Sequence, residues 1–80
     1  MDDVLSNRIA LDPAVMVGRP IIRGTRIPVE LILKMLAQGV TEEEILREYP
    51  RLQSQDVRAA LAYAARVLAQ EDIFPISAPT

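Results

Sequence analysis

Eighty residues carrying a formal charge of -2, with neither cysteine nor histidine, make one small domain that has no disulfide and no zinc site of the usual kind. Chains this short bury only roughly 60 to 65% of their unfolded surface, so close helix packing or self-association has to supply stability. The net charge argues against a module that coats nucleic acid by charge alone.

Half of the chain is apolar, mostly Ala, Leu, Ile and Val, with Tyr49, Tyr63 and Phe74 as the aromatics. That composition suits a helical core. The amino terminus lacks the basic start and apolar run of a signal peptide, and no apolar run approaches the length needed to span a bilayer, so a cytoplasmic protein is expected. The charge is unevenly spread. Met16 to Val29 carries three arginines and no acid, whereas Thr41 to Glu48 carries four glutamates against Arg47.

Residues 1–27 read as an extended arm. Asp12-Pro13 is a turn signal, and short strands are predicted near Ile9 to Leu11 and Pro20 to Arg23, with Pro20 at a strand start or an edge because it has no N–H to give. Residues 28–70 read as three helices. Pro28 suits the first turn of the first helix, which runs to Gly39 as its carboxy-terminal cap. Glu30, Lys34 and Gln38 share one side of it, while Val29, Leu31, Ile32, Leu33, Met35 and Leu36 cover most of the rest. An apolar arc that wide should touch the later helices and the strands, or a second chain.

Thr41 and Glu44 form a capping box for a short second helix from Glu42 to Tyr49, burying Ile45, Leu46 and Tyr49 and stopped by Pro50. The run of glutamates in its first turn favours the macrodipole and faces water. Ser54 is the expected N-cap of a third helix from Gln55 to about Ala69, with Asp56 in its first turn. Its inner stripe is predicted as Val57, Leu61, Ala64 and Leu68, flanked by Ala60 and Val67. Its outer face, Gln55, Arg58, Ala59, Ala62 and Arg66, contains no acid.

Catalysis is poorly supported. Serine and threonine lack an imidazole base, "GRPIIRG" has neither the lysine end nor the spacing of a phosphate-binding loop, and Asp12, Glu42 and Glu44 are not placed together by any pattern. No metal or cofactor is expected. The helix lengths and connections match a unit in which the last two helices form a helix-turn-helix. In such a unit Gln55 can read an adenine edge and Arg58 a guanine or phosphate, with Arg51, Arg23 and Arg26 as further phosphate contacts. An alanine-lined face equally allows close packing in a dimer. The arginines at 19, 23 and 26 can also simply flank strands and pair with Asp12, Glu30 or the glutamates of the second helix.

Over Ile9 to Leu68 the ordered set "DP", "GRPIIRGTRIPV", "LAQGVTEEEILREYP" and "LQSQDVRAALAYA" resembles the VapB-like helix-turn-helix antitoxins, a bacterial and archaeal family long catalogued as a domain of unknown function. The resemblance implies a mainly α, homeodomain-like three-helix domain with an amino-terminal β-hairpin arm, a homodimer, operator DNA as a ligand and a PIN-like ribonuclease toxin as partner. A dimeric adaptor that binds protein but not DNA is the alternative. Residues 71–80 hold Ile73, Phe74 and Ile76 within four positions, an apolar density that suits a partner-binding tail or a segment folded back on the domain.

Overall fold

The computed structural model describes residues 7–11 and 19–70. They form a small, mainly helical domain in the order β1 (Ile9–Leu11), β2 (Pro20–Ile22), α1 (Val29–Ala37), α2 (Glu42–Glu48) and α3 (Ser54–Gln70). The two strands pair antiparallel, with Ile9 opposite Ile22, Ala10 opposite Ile21 and Leu11 opposite Pro20. Pro20 opens its strand, the position where a missing N–H is tolerated. Arg23, expected at the end of β2, lies instead in the turn that follows.

Pro28 is one residue earlier in the helix than predicted. It occupies the N-cap of α1 with extended backbone, φ −70 and ψ 144, because it still bridges Ile21 across the antiparallel sheet. The other end matches expectation. Gly39 adopts φ +92, its N–H donates to Leu36 O at 3.0 Å, and Val40 N–H donates to Met35 O at 3.0 Å. This pair of bonds is the Schellman motif, which satisfies helix-end carbonyls and favours glycine because a Cβ resists positive φ.

Ile22, Val29, Ile32, Ile45, Leu52, Val57 and Ala60 make the core, so one residue from β2, two from α1, one each from α2 and the α2–α3 connection, and two from α3 meet in it. The wide apolar arc of α1 behaves as predicted, packing on α3, α2 and β2. Only Ile45 of α2 is fully buried, while Leu46 and Tyr49 are half-buried around it. The capping box is present in both halves: Thr41 Oγ1 accepts from Glu44 N–H at 3.1 Å and Glu44 Oε1 accepts from Thr41 N–H at 2.9 Å.

Two readings of α3 are corrected. Ser54 is not the N-cap but the first helical residue, and its hydroxyl donates to Glu42 Oε2 at 2.6 Å. The cap role falls to Asp56, whose Oδ2 accepts from Gln53 N–H at 2.8 Å. Of the predicted stripe, Val57 and Ala60 are buried and Ala64 and Val67 half-buried, whereas Leu61 is 49% and Leu68 63% exposed, and Asp56 and Ala59 are buried besides. Ala59, assigned to the outer face, therefore packs inward. α3 is 17 residues, about 25 Å, long. Its first two turns are keyed to the core by small residues and Asp56, while among the later described residues Ala62, Tyr63, Ala64 and Val67 are half-buried and none is fully buried.

Candidate nucleic-acid interface

The turn from β2 into α1 is built by its own side chains. Thr25 Oγ1 donates to Ile22 O at 2.7 Å and accepts from Ile27 N–H at 2.9 Å, and Thr25 N–H donates to Ile22 O at 3.0 Å. Gly24 supplies φ +83, a conformation costly for other residues. Arg23 folds back along β1, donating to the carbonyls of Asn7 and Ile9. It stitches the sheet edge and has fewer donors left for phosphate. Arg51, from the α2–α3 connection, donates through Nη2 to Gly24 O at 3.0 Å and so ties that connection to the arm junction. Arg26 is exposed and makes no hydrogen bond or ion pair among the described residues. Arg19 pairs with Glu30 at 2.6 Å, one of the pairings anticipated for the opening arginines.

Arg58 is exposed in the first turns of α3, and it too makes no hydrogen bond or ion pair among the described residues. Ala62 lies half-buried one turn on. Arg66 is exposed and is itself engaged with another group. Gln55 is a different case. Its Oε1 accepts from Arg8 Nη2 at 2.6 Å, so the acceptor needed for a two-bond adenine contact is already occupied.

Arg8 was missed by sequence reasoning. Its guanidinium reaches Asp56 Oδ1 at 2.8 Å and Gln53 Oε1 at 3.3 Å besides Gln55, pinning the start of α3 to β1 across 48 positions of sequence. Asp56 is 4% exposed, and each of its carboxylate oxygens is bonded, as a buried charge requires. The sequence signal available was an acid at the third position of a helix whose nominal N-cap then proved to be something else.

The acids of α2 act structurally. Glu44 is the reciprocal half of the capping box, and its carboxyl is held below the usual carboxylate range by hydrogen bonds from Thr41, first the backbone N–H and then the hydroxyl. Glu42 holds Ser54. Among the described residues no group of three or more acids could hold a metal ion, and no helix is long and apolar enough to cross a membrane. Asp12 and the tail residues Ile73, Phe74 and Ile76 lie outside the described residues.

An apolar groove of about 360 Å³ runs between α1 and the second half of α3, lined by Val29, Leu33, Tyr63, Val67 and Leu68, with Arg19 and Glu30 among its other lining residues. It ends near the last turn of α3.

The fold and site thus define a small helical domain with a strand-pair arm, a basic turn at the arm junction and an arginine-bearing third helix. Residues 9–64 match the family described as "Protein of unknown function (DUF433)", and the chain belongs to that family. It is 33% identical over 66 residues to uncharacterized protein y4eO of Sinorhizobium fredii (strain NBRC 101917 / NGR234), a match that covers 80% of this chain and 30% of the relative. The chain therefore spans under a third of that relative's length. A crystal structure of a DUF433 member from Anabaena variabilis ATCC 29413 superposes with a TM-score of 0.75 at 37% identity, covering 85% of this chain and 67% of that one.

Proposed function

We propose that this chain is an antitoxin-type regulator: a homeodomain-like helix-turn-helix protein that binds operator DNA as a homodimer and neutralises a PIN-like ribonuclease. The observation that carries the DNA half is Arg58, exposed and uncommitted at the start of the last helix, on a face whose exposed residues Gln55, Arg58, Ala65, Arg66 and Ala69 include no acid. Small residues there let backbone approach a groove, and a guanidinium is the side chain best suited to guanine edges and phosphates. Arg26 and Arg51 at the arm junction supply the phosphate contacts; Arg23 contributes less, since it is bonded to β1.

Dimerisation and partner binding are supported by the apolar surface of α3 past Ala60. Leu61 and Leu68 stand exposed there, Leu68 in the lining of the groove, and Ile73, Phe74 and Ile76 follow in the sequence. Such a surface is normally covered by a second chain.

The adaptor reading has its own support. Gln55 is engaged by Arg8, and the Glu42 carboxylate sits on Ser54 at the first residue of α3, where it opposes an approaching phosphate. A gel shift on the chain's own upstream promoter fragment, alone and with the product of the adjacent reading frame, separates the two. A shift that weakens with salt supports the regulator. Binding of the neighbouring protein with no shift under either condition replaces it with the adaptor.

A further inference from the structure

The groups presented by the β2–α1 turn are unbalanced. Gly24, Thr25, Arg26, Ile27 and Arg51 line an open cavity of about 500 Å³, and among the described residues no carboxylate lines it. The N–H groups of Gly24 and Arg26 donate to no described residue. The guanidinium of Arg26 is uncommitted, and that of Arg51 spends Nη2 on Gly24 O, which fixes it at the rim and leaves its other N–H groups available. The Thr25 hydroxyl is used in both directions within the turn. The donors that remain for a ligand are therefore two backbone N–H groups and two guanidiniums, and both charged groups are cationic.

We propose that this cavity binds a phosphoryl group. Two cationic side chains with no carboxylate among the described lining residues favour an anion, and planar guanidiniums beside backbone N–H groups suit tetrahedral oxyanions. Arg51 and the turn belong to segments 27 positions apart, so a bound phosphate clamps the arm junction to the α2–α3 connection. The site deepens the DNA-binding reading and rests on it only for the source of the phosphate: a nucleic-acid backbone, with a free phosphate monoester as the other source of the same chemistry.

The test is amide-resolved NMR of the full chain at constant ionic strength, with inorganic phosphate replacing chloride, followed by a short promoter duplex. Phosphate is expected to shift the Gly24 to Ile27 amides saturably. Arg26→Gln, which removes no intramolecular bond among the described residues, should weaken that binding about tenfold or more. If the duplex moves the same amides and phosphate competes with it, the backbone is the source; if phosphate saturates them and the duplex leaves them unmoved, the site takes a free phosphate compound. Phosphate shifts no larger than those in chloride, or unchanged in Arg26→Gln, overturn the site, and they do so even where the duplex still binds through Arg58, so the two readings fail separately.

Discussion

Replacing Asp56 with alanine removes the residue on which the start of α3 depends. Its carboxylate bonds Arg8 at 2.8 Å and caps Gln53 N–H at 2.8 Å. Breaking a fully buried ion pair from one side costs about 3 to 5 kcal/mol. Arg8, however, keeps 26% of its side chain in solvent against 6% for Asp56, so it can rehydrate and keep its glutamine partners. Two charge-assisted bonds lost in that setting correspond to about 2 to 3 kcal/mol. For a domain this size that is a fall in Tm of about 8 to 24 °C, a large share of the roughly 4 to 12 kcal/mol that 80 residues usually supply. If Asp56 acted only as an exposed first-turn acid, the loss would be about 0.3 to 1 kcal/mol. Urea melts at fixed protein concentration, on wild type, Asp56→Ala, Arg8→Ala and the double variant, distinguish these. A loss below about 1 kcal/mol for Asp56→Ala, or single losses that simply add in the double variant, would refute the ion-pair account.

Thr41→Ala should cost about 0.5 to 2 kcal/mol by removing the N-cap of α2, read by the same melts. Because Glu44 titrates below its ordinary range when folded, its contribution is complete above the unfolded carboxylate pKa and fades as pH falls through the folded value; Glu44→Gln, which still accepts from Thr41 N–H, should flatten that acid-side slope. Leu61→Gln with Leu68→Gln should change the stability of a single subunit by no more than about 0.5 kcal/mol yet shift sedimentation equilibrium at micromolar concentration from dimer to monomer; an unchanged dimer would move the interface elsewhere. A chain ending at Gln70 should stay folded and keep the proposed dimer but lose affinity for the proposed PIN-like partner, whereas a lower Tm with unchanged affinity would assign residues 71–80 to the domain.

Features set by neighbours in sequence were legible. The capping box of Thr41 and Glu44, Gly39 at the end of α1, Pro20 at a strand start and the Arg19–Glu30 pair each follow from residues a few positions apart, or from opposite charges in adjoining segments. What escaped depends on how the elements are stacked. Nothing local distinguishes Arg8 from the other arginines, and its role appears only when β1 is laid against α3. The inward face of α3 has the same origin: Val57 and Ala64 of the apolar row point inward as periodicity implies, but Leu61 and Leu68 are exposed, and Asp56 is buried where Arg8 holds the first turn. Of the proposed contacts, Arg26 and Arg58 are uncommitted, Arg51 is half committed, and Gln55 and Arg23 are engaged within the chain. Such pairings across the fold are invisible to periodicity.

In the proposed complex α3 presents Arg58 to DNA, and fluorescence anisotropy of a labelled promoter duplex, titrated with wild type and Arg58→Ala over a range of salt, tests that contact. Wild-type affinity should fall steeply with salt, and Arg58→Ala should lose about 1 to 3 kcal/mol if the guanidinium reads a base, or show a slope smaller by about 1 if it meets a phosphate. Salt-independent or undetectable binding by the wild-type protein, or an Arg58→Ala curve that overlays it at every salt concentration, would rule that contact out.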